Sequence, residues 1–282
     1  MKKPIVSIII PTYNEENNIE RLLKSINSQT YRLIESIVVD DGSSDSTVLI
    51  SEKYASRVFA REHAERSIQR NFGASRAKGK YVVFLDADME LTKRVIESCV
   101  ANIGKHKALI IPEKTVGKSF MAKIRSFERE MYEGDRSIEV ARFFDKKVFN
   151  EFNGYDVDLT GTEDYDLPYR ISKEYSLGRI NDMIYHHEQQ LTLFKQLKKK
   201  YYYAKNSAYY AEKHPDLIAK QGILILRKAY LRNWRKFVGH PFLGGCFIVV
   251  RLAETVAAIL GYFSAVGLIK SVKTFLIMVK NK

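Results

Sequence analysis

Short apolar runs that stop abruptly at polar or acidic loops recur through the first 112 residues, each followed by a stretch of helical periodicity. The first is Ile5-Val6-Ser7-Ile8-Ile9-Ile10, which ends at Pro11-Thr12-Tyr13-Asn14. Ile19, Leu22, Leu23 and Ile26 then repeat at helical spacing, with Asn14 as the expected cap and Glu15 and Glu16 in the expected first turn. A second unit follows: a strand from Ile34 to Val39, a polar turn Asp40-Asp41-Gly42-Ser43-Ser44, and Asp45 as cap of a helix from Ser46. Arg57 to Ala60 reads as a short third strand, and Ile68, Phe72 and Ser75 mark the expected inner face of a helix ending near Gly79. The run Tyr81-Val82-Val83-Phe84-Leu85 then halts at Asp86-Ala87-Asp88. Val95, Ile96, Cys99, Val100 and Ile103 predict another amphipathic helix, and Ala108 to Ile111 another strand. Strands alternating with helices in this way predict parallel pairing through right-handed crossovers.

The rhythm changes from Gly117. A helical stretch is expected through Arg136, then a short apolar segment at 141–144 and a loop at Asn153-Gly154-Tyr155-Asp156. Glu163-Asp164-Tyr165-Asp166 falls where a helix begins, a favourable place for carboxylates, with Pro168 expected in an early turn. Arg179 to Tyr185 predicts one last strand leading into His186-His187. The partition read from these patterns is 1–194, in halves of 1–112 and 113–194, followed by a helical tail over 195–282.

Composition sharpens the picture in the tail. With 45% hydrophobic and 28% charged residues, the chain is long and apolar enough to bury a sizeable core. The net charge of +13 is concentrated in 195–236, where twelve lysines and arginines face only Glu212 and Asp216. Tyr201, Tyr202, Tyr203, Tyr209, Tyr210, Tyr230 and the sole tryptophan, Trp234, are interleaved with them. Basic and aromatic residues together suit nucleic acid or an anionic membrane surface. No nucleic-acid reader motif accompanies them, whereas the apolar stretch from Phe242 to Ile269 follows at once, so the membrane is favoured. That stretch is long enough to span a bilayer, but Arg251 and Glu254 near its middle suit an in-plane helix equally well, and a hairpin over 242–279 that covers the protein is the bland reading. Two cysteines, Cys99 and Cys246, exclude a disulfide framework and a CxxC metal site, and the start lacks a signal-peptide pattern.

Asp86 and Asp88 lie two apart in extended chain and point the same way, so both carboxylates can converge on a hard cation holding phosphate oxygens. An isolated Asp-x-Asp can equally end a strand through local turn bonds. What favours a site is the shared placement of four polar clusters, at Pro11 to Glu15, Asp40 to Asp45, Asp86 to Asp88 and Glu163 to Asp166, all at strand ends or helix starts where open α/β sheets bind ligands.

Over about residues 5 to 190 the chain resembles the inverting family 2 glycosyltransferases of the GT-A fold. The resemblance rests on Ser7 to Glu15, on Val38-Val39-Asp40-Asp41-Gly42-Ser43-Ser44-Asp45, on Arg70-Asn71-Phe72-Gly73 with Ala77-Lys78-Gly79, on Phe84-Leu85-Asp86-Ala87-Asp88, and on Thr162-Glu163-Asp164. It implies an α/β nucleotide-diphospho-sugar transferase fold with a mostly parallel sheet. It also implies that Pro11, Tyr13, Glu15 and Asp41 line a nucleotide pocket, that Asp86 meets ribose or metal, that Asp88 binds Mg²⁺ or Mn²⁺, and that Asp164 is the general base. Glu163 and Asp166 become supports of the acceptor or its loop, Asp166 mainly as a helix cap. His186 and His187 fall where some members place a metal-binding histidine; His186 is the preferred ligand, and a strand-end histidine is the other reading. Arg70 and Arg76 are weaker candidates for donor phosphates. The implied partners are a nucleotide-diphosphate sugar and a lipid-linked or glycan acceptor at the cytosolic membrane face, with no nucleic acid. A polyprenyl-phosphate sugar synthase, and a non-catalytic scaffold that binds sugar nucleotide and membrane, stay open as alternatives.

Overall fold

A computed structural model describes residues 3–135, 137–188, 191–221 and 227–266. In chain order the elements are β1 (Val6–Thr12), α1 (Ile19–Asn27), β2 (Ile34–Asp40), α2 (Thr47–Tyr54), β3 (Arg57–Ala60), α3 (Arg66–Arg76), β4 (Tyr81–Phe84), β5 (Met89–Leu91), α4 (Val95–Asn102), β6 (Ala108–Ile110) and β7 (Glu113–Val116). They continue with α5 (Phe120–Tyr132), β8 (Ala141–Asp145), α6 (Lys146–Glu151), α7 (Glu163–Ser172), β9 (Leu177–Arg179), β10 (Ile184–His187), α8 (Leu193–Lys205), α9 (Ala208–Lys213), α10 (Pro215–Gln221), α11 (Lys228–Arg232), α12 (Trp234–Gly239) and α13 (Pro241–Val266). Arg136, to which α5 was expected to extend, and everything past Val266 lie outside the described residues, including the last part of the apolar stretch and any hairpin to residue 279.

The chain forms two compact units. The first holds residues 1–114, 140–158 and 163–187, and is built on a seven-stranded sheet of order β3-β2-β1-β4-β8-β6-β9. β1 pairs in parallel with β2 and β4, and β2 with β3, as the alternation predicts. The expected run of parallel neighbours breaks at β8. This apolar strand from beyond residue 112 lies antiparallel between β4 and β6, so β6 never meets β4. The predicted strand from Arg179 to Tyr185 is two short strands, β9 against β6 and β10 in a second, three-stranded sheet with β5 and β7.

β1 is buried on both faces because both faces are covered. Val6, Ile8 and Ile10 pack with Ile19, Leu22 and Leu23 of α1 and with Ile96 and Cys99 of α4. Ile9 points the other way, towards Ala74 and Ala77 beside α3 and Phe84, Phe144 and Leu167. Each of these large aliphatic side chains contributes about 1.5–3 kcal/mol on burial. The inner face of α3 differs from the one read off its apolar residues: Ser67, Arg70, Gly73 and Ala74 are buried, while Ile68 and Phe72 lie at its margin. Close approach explains this. A Cβ on Gly73 would stand 2.4 Å from the Ile9 side chain, so the helix seats its smallest residues on the sheet.

The second unit holds residues 115–139, 159–162 and 188–282. Ile124, Phe127 and Met131 of α5 pack with Tyr230 of α11 and with Phe247 and Val250 of α13. Arg251 and Glu254 pair with each other as expected, but both are buried, and Arg251 Nη1 also donates to Glu128 of α5 at 2.7 Å. Burial opposes the charge on Glu128, yet Arg125 and Arg251 beside it hold its carboxyl well below the usual range. Lys200 of α8 joins this buried group, where burial and the neighbouring Arg125 push its ammonium down to about 7.

Candidate active site

The loops after β1, β2 and β4 lie at the carboxyl edge of the parallel strands, and the first two are cross-linked. Asn14 takes a left-handed conformation and its side chain accepts from Ser44 N at 2.9 Å, while its own N–H donates to Ser43 Oγ. It therefore ties two loops together and caps no helix; α1 begins only at Ile19. Asp45 accepts from Thr47 N at 3.0 Å at the start of α2 and also from Glu16 N. Asp40 is consumed structurally, accepting from Ser43 N, Gly42 N and the Thr12 hydroxyl.

Pro11 stands half-buried near the end of β1, and Tyr13 beyond it is exposed. Asp41 accepts from Ala64 N at 2.7 Å and from the Gln69 amide through one oxygen, and lies 2.6 Å from His63 Nδ1 through the other. The rings of Tyr13 and His63 are 5.6 Å apart and tilted. An aromatic face, an imidazole and a carboxylate thus gather at one point, a grouping suited to a heteroaromatic base. Glu15 is close by: burial raises its carboxyl pKa, and the charges of Asp88 and Asp86 push it further the same way.

The two acids after β4 are treated differently. Asp86 lies 2.9 Å from Arg70 Nη2 through one oxygen and 3.5 Å from Arg142 Nη2 through the other. Burial works against its charge, but these two guanidiniums hold its carboxyl far below the usual range. Asp88 instead meets His186 of β10, with 3.0 Å between Oδ2 and Nε2. The other imidazole nitrogen, Nδ1, is 3.2 Å from Glu113 Oε2, and Glu113 Oε1 accepts from Arg142 Nε at 2.5 Å. His187, on the opposite side of the strand, pairs with Glu90 at 2.7 Å. Among the described residues no group of three or more histidine, cysteine or acidic side chains stands in a metal-holding arrangement.

Arg70 is the hub. It has no exposed surface, and besides Asp86 it reaches Asp164 at 2.5 Å and Glu163 at 3.3 Å. Its neighbour Asn71 clamps the loop before α7, donating to Tyr155 O at 2.7 Å and accepting from Tyr155 N at 2.9 Å. The Arg-Asn-x-Gly run on α3 therefore gathers the site: arginine to the acids, asparagine to the loop, glycine to the sheet. Arg76, at the end of α3, is exposed and lies over the Phe72 ring.

α7 begins at Glu163, so its first turn carries Glu163, Asp164 and Asp166. Pro168 sits mid-helix rather than in an early turn, and has no N–H to offer the Asp164 carbonyl. Glu163 is buried, and burial together with the adjacent Asp164 raises its pKa to about 7. Asp164 keeps 19% of its side chain exposed against 3% for Glu163, so Asp164 is the acid that a substrate can reach. Asp166 is wholly buried and pairs with Arg170 at 2.7 Å; Arg170 in turn holds the Phe152 and Gly154 carbonyls.

A family model described as "Glycosyl transferase family 2" matches residues 7–156. The chain belongs to this family. Among its relatives, the Escherichia coli "Uncharacterized glycosyltransferase YibD" is 37% identical over 98 residues, covering 33% of this chain and 28% of that one. The Bacillus subtilis "Putative teichuronic acid biosynthesis glycosyltransferase TuaG" is 37% identical over 101 residues, covering 34% of this chain and 40% of that one. The chain thus spans about a third of the length of these curated relatives. Among solved structures, a mannosyltransferase, PcManGT of Pyrobaculum calidifontis in complex with GDP-Man and Mn²⁺, superposes with a TM-score of 0.58 at 18% identity, over 99% of this chain and 81% of that one. With its mostly parallel, helix-covered sheet, this family member has the GT-A fold.

Proposed function

We propose that the protein is a metal-dependent inverting glycosyltransferase that moves a sugar from a nucleotide-diphosphate donor to a lipid-linked or polysaccharide acceptor at the cytosolic face of a membrane. One observation carries the reading: Glu15, Asp88 with His186, and Asp164 held by Arg70 all converge on the edge where the Tyr13, His63 and Asp41 group lies.

The residues fit a divalent ion. Nε2 of His186 and Oδ2 of Asp88 stand 3.0 Å apart, at hydrogen-bond distance when Nε2 carries the proton, and without that proton both atoms are free to face one cation. Asp88 and His186 would hold such an ion, since Mg²⁺ commonly takes only one or two carboxylates from the protein. Such an ion would supply charge stabilisation to the departing diphosphate. Asp86, already neutralised by two arginines, is then better placed to accept from a ribose hydroxyl than to bind metal.

The transfer follows from the chain's own groups. The acceptor oxygen bonds to the anomeric carbon from the face opposite the diphosphate while the carbon–phosphate oxygen bond breaks, its electron pair leaving on the diphosphate. The acceptor proton passes to Asp164. Arg70 fixes one Asp164 oxygen, which presents the other to the acceptor.

The lipid side of the reading rests on α13. It is long and apolar enough to cross a membrane by length and composition. Its charged residues, however, are spent inside the second unit, while Phe242, Ile248, Val249, Leu252, Val256, Ile259 and Leu260 are exposed. A soluble helix shows water its polar side; this one shows it apolar side chains. Basic residues of α8, α11 and α12, with exposed Trp234, make an anionic bilayer the fitting partner. Thermal shift of the full chain against a panel of nucleotide sugars, with and without Mn²⁺, tests the donor reading: a stabilisation by at least one sugar nucleotide that needs Mn²⁺ is expected, and none from any member of the panel sinks it.

A further inference from the structure

Glu113 opens β7 and lies beside the two acids without belonging to any motif that marks the site. Its two oxygens do separate things. Oε2 faces His186 Nδ1 at 3.2 Å, and Oε1 takes Arg142 Nε at 2.5 Å. Beyond those two residues stand the two acids of the Asp-x-Asp: His186 Nε2 is 3.0 Å from Asp88, and Arg142 Nη2 is 3.5 Å from Asp86. Side chains from three strands, β7, β8 and β10, thereby form one chain of contacts from Asp86 to Asp88.

We infer that Glu113 is a positioning residue that divides the labour of Asp86 and Asp88, clamping Arg142 against the first and fixing the His186 ring so that Nε2 faces the second and the cation between them. The inference rests on the metal reading above.

The physical basis is the behaviour of histidine ligands. An imidazole can bind a cation through one nitrogen only if the other keeps its proton, and a carboxylate accepting that N–H fixes both the tautomer and the ring's rotation. Glu113 is so placed, and its position is itself held. Arg142 is almost wholly buried, donates Nη1 to the Phe84 carbonyl at 3.5 Å, and leaves the carboxylate little freedom to rotate. A glutamine of the same shape would present an amide with one acceptor atom, enough for His186 or for Arg142 but not for both. The pair Glu90 and His187 provides an internal control. It has the same glutamate–histidine chemistry at 2.7 Å, between β5 and β10 rather than β7 and β10, with its histidine on the face of β10 opposite His186.

The test is Mn²⁺ affinity without donor or acceptor, read as free Mn²⁺ by electron paramagnetic resonance on the full chain. Glu113→Gln is expected to weaken Mn²⁺ binding about 10- to 100-fold, the usual effect of losing such an outer partner. Glu90→Gln is expected to leave it within about twofold, because the same substitution there touches no ligand. In a His186→Ala background, adding Glu113→Gln is expected to cost less than about twofold, since the residue acts through the ring already removed. Thermal melts of each variant identify any loss that comes from unfolding, and Glu113→Asp, which keeps the charge, serves as a second variant with intermediate affinity expected. Wild-type affinity in folded Glu113→Gln, equal losses at Glu113 and Glu90, or full additivity with His186→Ala each overturn this inference alone. A wild-type chain that binds no Mn²⁺ overturns the metal reading and this inference with it.

Discussion

Arg70 and Asp164 meet at 2.5 Å although 94 residues separate them in sequence, and the guanidinium has no exposed surface. This contact joins α3 to the start of α7. Asp164 and Asp86 keep Arg70 charged against the pull of burial. Replacing Arg70 with Met removes a guanidinium that pairs with Asp86, Glu163 and Asp164 at once. The expected cost is about 3–5 kcal/mol, as for breaking a buried pair from one side. Urea unfolding measures it, and a variant within 1 kcal/mol of wild type would show that the acids do not depend on Arg70. Lysine in its place should recover little, because a single ammonium cannot reach three carboxylates in a planar fork.

Replacing Asp164 with Asn keeps a hydrogen-bonding side chain at the same point but removes the proton acceptor. Transfer should fall by at least about 10²-fold, while donor affinity stays within a few-fold of wild type. Single-turnover transfer and donor titration separate the two. If the variant turns over near the normal rate, the base is elsewhere or the acceptor arrives already ionised, as a phosphate would.

Glu163 gives the site a defined pH signature. Burial and Asp164 raise its pKa from 4.5 to about 7, so between those values the folded chain holds a proton that the unfolded chain has released. The sign follows from linkage: stability from this group is fully present below about 4.5 and is lost as pH rises through about 7. Glutamine cannot ionise and escapes the loss. The stability of Glu163→Gln relative to wild type should therefore climb by about 1–3 kcal/mol from pH 4.5 to 7.5 and then level off. Chemical denaturation at a series of pH values would reveal parallel curves if Glu163 titrates normally.

Much of this site was legible in the sequence because strand ends and helix starts announce themselves. The apolar runs ending at Pro11, Asp40 and Asp86 became β1, β2 and β4, and the acids at 163–166 do open α7. What stayed hidden were residues whose role depends on partners distant in sequence. Arg70 read only as a weaker candidate for donor phosphates, yet it lies on the buried stripe with Ser67, Gly73 and Ala74. The spacing of those small residues, three and four apart, was the available signal: a helix that seats its smallest side chains on a sheet also buries whatever stands among them. Arg142 and Glu113 gave no local signal at all. One lies in a strand whose antiparallel insertion the alternation did not predict, and the other begins a strand of the second sheet. Asn14 misled for a related reason, since a cap and a loop cross-link use the same side-chain oxygen.

The membrane reading turns on which way α13 faces. If α13 spanned a bilayer, Arg251 and Glu254 would leave Glu128 and each other's buried surroundings, at about 3–5 kcal/mol for a broken pair. Each would then meet the bilayer centre at about 2.5–3.5 kcal/mol more. Lying in the interface avoids both penalties and buries the exposed stripe about 5–10 Å deep, while nearby lysines and arginines gain about 1 kcal/mol each from anionic headgroups. Two measurements follow. Val249→Glu with Val256→Glu should lower binding to phosphatidylglycerol vesicles at least 10-fold in sedimentation, with little change in the melting of the folded chain, since both side chains are exposed. Fluorophores placed at Phe242, Leu252 and Leu260 and quenched by lipids labelled at known depths should report similar shallow depths. A helix that spans would instead place Leu252 near the midplane and the other two at opposite headgroups, because at 1.5 Å per residue the stretch is about 27 Å long. That graded profile would overturn the in-plane reading, and the inward pairing of Arg251 with Glu128 would then have to break on insertion.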